Sequence, residues 1–293
     1  SFSALDAQKH IDIMASEVHF MGTESNRKVR DYILEEFTKM NIPTEMFIGH
    51  SSHDCGSDYQ RLGKTENIIA TIKGQSSEKS VMVAGHYDSV LNSPAAADDV
   101  HAVANILETA KLLKDSNPKN DIIFLITDGE EMGLLGAKAY TETKDVNSIG
   151  VMLNFESRGN SGPNISFEWS DGNGWLVRQL RKAASRPVAN SMSFEIYKRL
   201  PNDTDFTYFK EAGVAGINNA FIDGFSYYHN PVDDPEHLNM NSVQHAGENM
   251  YRLTKHFSNI DLSNTVTTNA SFFNFLGTLV IYPSSWDLIF VII

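Results

Sequence analysis

The chain has 293 residues and a formal net charge of −13, with 41% apolar and 21% charged residues, so it buries a full core and one large α/β domain is its default. The acidity excludes nucleic acid as the partner, because a phosphate backbone calls for a basic face. A single cysteine, Cys55, excludes both an intrachain disulfide framework and a cysteine-based zinc site.

In chain order, residues 3–17 open on a serine cap and carry Leu5, Ile11 and Met14 at roughly helical spacing. Glu24 to Met40 is a clearer helix, with Val29, Ile33, Phe37 and Met40 on one face and Pro43 just past its end. TEMFIGH (44–50) reads as a strand, HSSHDCGSDYQRLGK (50–64) as a polar loop, and ENIIATIKG (66–74) as a strand closed by Gly74. VMVAGH (81–86) is an apolar strand that runs into His86-x-Asp88. From Asp98 a helix is marked by Val100, Val103, Ala104, Leu107 and Ala110, and Asn117-Pro118 ends the segment. Asp98 and Asp99 sit at its start, where free N–H groups favour carboxylates, and taken alone they read as ordinary caps.

DIIFLIT (121–127) is a continuous apolar run, fitting a strand buried on both faces, and it leads to the acidic pair Glu130-Glu131. GLLGAKAY (133–140) is a short helix, SIGVMLNFES (148–157) a strand ending on Glu156, NISFEWS (164–170) a strand and NGWLVRQLRKAA (173–184) a helix. DFTYFKEAG (205–213), VAGINNAF (214–221) and SVQHAGENMYRLTKHF (242–257) continue as helix, strand and helix. The alternation predicts an α/β fold: a single mixed, mostly parallel twisted sheet with helices on both faces, spanning residues 1–260. DLSNTVTTNAS (261–271) reads as a polar connector. The stretch 272–293 reads as an apolar tail outside the catalytic core, the possible start of a membrane region. A spanning helix needs about 20 apolar residues, and Pro283, Ser284, Ser285 and Asp287 interrupt this run. A C-terminal core strand or amphipathic helix is the alternative.

His86, Asp88, Asp98, Asp99, Glu130, Glu131 and Glu156 all fall at strand ends or in the turns after them, and FSYYHNPVDDP (225–235) adds His229. In an open α/β sheet those ends are where ligands bind. One imidazole and two carboxylate oxygens per ion, with a carboxylate shared between two ions, is a sound co-catalytic zinc set. In a pair of adjacent acids one can ligate while its neighbour stays free as general base. His10, His19, His50, His53, His101, His237, His245 and His256 lack such a context and are assigned to surface or packing.

GHYDSV, an aspartate pair opening a helix with ANILE, FLITDGEEMGLLGAKAY and the late YYHNPVDDP together resemble the M28 family of co-catalytic zinc peptidases, over roughly residues 25–255. FESRGNSGPNISFEWS (155–170) is similar to that family's membrane-anchored vacuolar and bacterial branch, where a multi-span region follows the peptidase domain. The resemblance implies two zinc ions: His86 and Glu156 on one, Glu131 and His229 on the other, Asp98 bridging. It implies Glu130 as general base, Asp88 orienting His86, and Tyr228 at an oxyanion-stabilising position for which Tyr227 competes. The implied reaction is removal of N-terminal residues from a peptide or small-protein substrate, by a bridging water that Glu130 activates. The implied location is membrane-associated with the catalytic domain facing the lumen, periplasm or exterior, or else secreted. A single-zinc glutaminyl cyclase and a non-catalytic receptor or scaffold are the competing functions. The chain departs from the family in Ala95-Ala96-Ala97 before the bridging aspartate, where glycines are usual, and in His101. Both are expected to crowd the site entrance. Arg158 and Asp205 are expected at the rim of the site or in structural salt bridges.

Overall fold

A computed structural model of the chain describes residues 1–56 and 59–287. Helix α1 (Ala4–Met14) starts where Ser3 accepts the Asp6 N–H, and α2 (Glu24–Lys39) where Thr23 accepts that of Asn26. Each buries one stripe at helical spacing, Ala7, Ile11 and Met14 in the first and Val29, Ile33 and Phe37 in the second.

Strands β1 (Thr44–Asp54) and β2 (Gln60–Ile72) then form a long antiparallel hairpin, paired from Thr44–Ala70 out to Asp54–Gln60. The expected polar loop at 50–64 is therefore mostly strand. Its polarity reflects an arm largely open to solvent, whose backbone groups satisfy one another across the hairpin. Strands β3 (Ser76–His86), β4 (Asn120–Thr127), β5 (Ile149–Ser157), β6 (Ile165–Trp169) and β7 (Gly216–Phe221) complete a seven-stranded sheet of order β1-β2-β4-β3-β5-β7-β6. The inner four, β4-β3-β5-β7, are parallel, and the strands outside them are antiparallel.

Alternate residues of the sheet feed two cores. Ile68, Val81, Val83, Phe124, Ile126, Leu153 and Phe155 pack against α1, α2, α3 (His101–Leu113), α5 (Gly174–Ala183) and α8 (Met240–Phe257). Met82, Ala84, Leu125 and Met152 pack on the other face against α4 (Leu135–Thr143) and α7 (Phe206–Glu211). This is the mixed, mostly parallel α/β sheet expected. A short helix α6 (Ser191–Tyr197), capped by Asn190, was not foreseen.

The C-terminal stretch differs from expectation. Strands β8 (Ala270–Phe275) and β9 (Thr278–Pro283) form an antiparallel hairpin against α5, and β8 also touches α6. Phe272 and Leu279 lie wholly inside the first core, with the Phe272 ring 5.3 Å from that of Trp169. The run reads as apolar on every side because its outer face also carries Phe273 and Phe275, both exposed. Leu262 is buried too, so the expected connector stays on the body of the protein. Residues 288–293, the end of the expected tail, lie outside the described residues. No described helix is long and apolar enough to cross a membrane.

Candidate metal centre

Because β4, β3, β5 and β7 run parallel, their carboxyl ends share one edge of the sheet. His86 is the last residue of β3, Glu156 the penultimate residue of β5, and the turn after β4 carries Glu130 and Glu131. Gly129 makes that turn at φ +75°, a conformation disfavoured for a residue with a Cβ. Asp98 and Asp99 sit in a π-type turn, Ala96–Val100, that precedes α3, with non-helical backbone angles; they are not simple helix caps. His229, itself at φ 52°, comes from the loop before α8.

Asp98 faces both ways. Its Oδ1 is 3.4 Å from His86 Nε2, which is 3.6 Å from Glu156 Oε2. Its Oδ2 is 3.1 Å from His229 Nε2, which is 3.0 Å from Glu131 Oε1. Each trio, His86–Asp98–Glu156 and Asp98–Glu131–His229, offers ligand atoms within 4.8 Å of one another, and Glu130 joins His86 and Glu131 in a third such group. His86 Nε2 and Glu131 Oε1 are buried without a hydrogen bond; the short approach of Glu131 to His229 is a contact without hydrogen-bond alignment.

The surroundings fix these side chains. His86 Nδ1 lies 3.0 Å from the Asp88 carbonyl and 3.5 Å from its Oδ1, which turns Nε2 toward Asp98. The same Asp88 carboxylate accepts the backbone N–H groups of Glu130 at 3.0 Å and Glu131 at 3.2 Å. The Asp233 carboxylate accepts those of Ala97 at 2.8 Å and Asp98 at 3.2 Å. Asp99 accepts the His86 N–H at 3.2 Å, an approach open only because residue 85 is glycine: a Cβ there would lie 2.8 Å from Asp99 Oδ2.

The charge balance of this cluster calls for a cation. Burial, reinforced by facing carboxylates, pushes Glu131 up to about 7 and Glu156 to about 8, and raises Glu130 and Asp99 as well. Burial disfavours a charged Asp98, but the His229 and His86 imidazoles outweigh it and hold that carboxyl down at about 2. Carboxylates and imidazoles crowded together, with a ring nitrogen and a carboxylate oxygen left unpartnered, form a donor set that suits divalent zinc.

The chain's residues 67–254 match Peptidase family M28. The chain belongs to that family. Within it, endoplasmic reticulum metallopeptidase 1 of Homo sapiens is 30% identical over 97% of the chain and 34% of that protein. The vacuolar membrane protease of Candida dubliniensis is 27% identical over 91% of the chain and 30% of that protein. The chain thus spans about a third of the length of these relatives. Its fold is that of BSAP, a zinc aminopeptidase from Bacillus subtilis, at TM-score 0.69 and 16% identity over 90% of the chain and 97% of that one. Porphyromonas gingivalis glutaminyl cyclase superposes equally well, at TM-score 0.69 and 16% identity over 86% of the chain and 98% of that one.

Other residues singled out in this M28 chain fall as follows. Tyr228 lines a cavity of about 570 Å³ that also reaches Asp98, Glu130 and Glu156, and its ring stacks 3.7 Å from that of His229. Tyr227 packs on His237 instead. Ala95, Ala96, Ala97 and His101 are buried, and His101 packs on Phe221 beneath the aspartate turn, so they do not crowd an entrance. Asp205 is buried and accepts a hydrogen bond from Thr127 at the end of β4. Arg158 stacks over the rings of Phe225 and Tyr228 and forms no salt bridge among the described residues. Sequence reasoning assigned nothing to Asp233, although it lies in the same YYHNPVDDP stretch as His229.

Proposed function

We propose that the chain is the catalytic part of a zinc-dependent aminopeptidase. The observation that carries this reading is Asp98 with one carboxylate oxygen toward each histidine-and-glutamate pair. His86 and Glu156 would hold one zinc ion, Glu131 and His229 a second, and Asp98 would be common to both. Zinc, when bound there, would polarise a scissile carbonyl and acidify water enough for attack at neutral pH.

The remaining work falls to side chains. Glu130, whose backbone is pinned by Asp88 and whose carboxyl lines the cavity, takes the proton of the attacking water and returns it to the leaving amine. Burial raises its pKa, which favours a group that must carry a proton between two steps. Tyr228, kept protonated by burial, is the donor for the oxygen that gains charge. Asp88 positions both Glu130 and the His86 ring. A free peptide amine suits a cavity bordered by Asp98, Glu130 and Glu156. A single-zinc cyclase would leave the pairing of Glu131 with His229 without a task. The names of the two relatives support attachment to an internal membrane, and we place the peptidase part on its lumenal or outer side.

The test is hydrolysis of a panel of aminoacyl anilides by zinc-loaded protein, with Glu130→Gln and His229→Ala alongside. Glu130→Gln is expected to lose about 10²–10⁴-fold or more in turnover while keeping its zinc. His229→Ala is expected to lose zinc as well as rate. Near-normal turnover in Glu130→Gln would move the base elsewhere, and one zinc per chain at saturation would favour the cyclase.

A further inference from the structure

The cavity that reaches the acidic groups is also walled by Ile165, Phe167, Ile196, Leu200 and Ile222. Three of its lining residues carry a buried polar atom that has no hydrogen-bond partner: Ser157 Oγ, Arg158 Nε and Tyr197 Oη. Each of the three can donate a hydrogen bond. Arg158 is the one cation among the described lining residues, and no ion pair joins it to a described acid. Its guanidinium is held over Tyr228, 5.2 Å from the ring centroid, and over Phe225 at 5.7 Å. Stacking stabilises the flat faces of a guanidinium but leaves its N–H edge unsatisfied. A buried donor without an acceptor is costly, so the arrangement is suited to an acceptor that arrives with a ligand.

We infer that Arg158, with Ser157 and Tyr197 beside it, binds a carboxylate of the substrate. This rests on the peptidase reading above and narrows its substrate class. The cavity lining carries both signs of charge, the carboxyls of Asp98, Glu130 and Glu156 and the guanidinium stacked over the Tyr228 ring. A short peptide carries a matching pair of charges: its amine toward the acids, its carboxylate toward Arg158, and an apolar side chain for the chamber between Phe167 and Leu200. The preferred substrates are therefore small peptides, or peptides with an acidic residue close to the scissile bond. A planar guanidinium and a planar carboxylate pair through two parallel hydrogen bonds, which an amide in the same place cannot reproduce.

The test compares Leu-Phe, its C-terminal amide, and Leu-Glu amide as substrates of zinc-loaded wild type, Arg158→Gln and Arg158→Lys. Wild type is expected to favour at least one carboxylate-bearing peptide over Leu-Phe amide by about tenfold or more in kcat/KM, chiefly through KM. Arg158→Gln is expected to erase that preference and Arg158→Lys to keep part of it. Preference for Leu-Phe identifies a terminal carboxylate, and preference for Leu-Glu amide an acidic side chain. A parallel titration by calorimetry uses 4-phenylbutyrate and 4-phenylbutanamide, which are not cleaved at a peptide bond. Tighter binding of the acid in wild type, lost in Arg158→Gln, upholds the inference even if no peptide is hydrolysed and the peptidase reading falls. Equal binding of acid and amide by wild type, or an acid preference that survives Arg158→Gln, overturns it.

Discussion

Asp233 touches no candidate ligand atom, yet it holds the turn that presents Asp98 by accepting two of its backbone N–H groups. Asp233→Ala leaves every ligand in place and removes that hold. It is expected to weaken zinc binding about 10–100-fold, as loss of an outer hydrogen-bond partner generally does, measured by competition against a chelator of known affinity. Unchanged affinity would mean that the turn is fixed by its own packing. Of the side chains that face one another at the centre, His86, Glu130, Glu131 and Glu156 were legible from strand ends and adjacent acids, whereas Asp98 and His229 were assigned by the resemblance to the M28 family. The supporting contacts were not legible. Asp98 and Asp99 are alike as letters, but only Asp98 faces the two histidines; Asp99 turns to the His86 N–H. Asp233 acts on backbone groups some 135 positions away, and no local pattern encodes such a pairing.

Elements whose periodicity was strong fell where expected, α2 and β4 among them, since a buried stripe or an unbroken apolar run leaves few alternatives. The errors lie where polarity and apolarity misled. The β1–β2 arm is a polar strand pair, stabilised by its ladder rather than by burial. The β8–β9 hairpin is an apolar segment whose inner face alone is buried, and it was misread because its outer face is apolar as well. If that hairpin belongs to the core, Leu279→Ala should cost about 2–5 kcal/mol, the usual range for emptying a fully buried leucine site. Denaturant unfolding of the zinc-loaded protein measures it, and a change under 1 kcal/mol would show a loosely attached appendage, with the ~1 kcal/mol boundary set by ordinary surface substitutions.

For the molecule as a whole, the centre gathers groups from β3, β5, the turn after β4, the turn before α3 and the loop before α8. Removing a cation that ties these together leaves the carboxylates facing one another. Chelation is expected to lower the thermal midpoint, since a ligand at a hundredfold excess over its Kd adds about 2.7 kcal/mol to folding stability. Matching melting curves with and without chelator would contradict a shared, structure-spanning centre. The parts of the cavity are also unequally anchored. The acids that line it stand in β5 and in the turns that flank β4 and α3, against inner strands covered on both faces, whereas Phe167, Ile196 and Leu200 come from an edge strand, a short helix and the segment after it. Loop-borne and edge-borne positions accept change more readily than a buried sheet does. A lineage could therefore drift from one diet of peptides to another by re-cutting the chamber walls while the reaction itself is inherited intact.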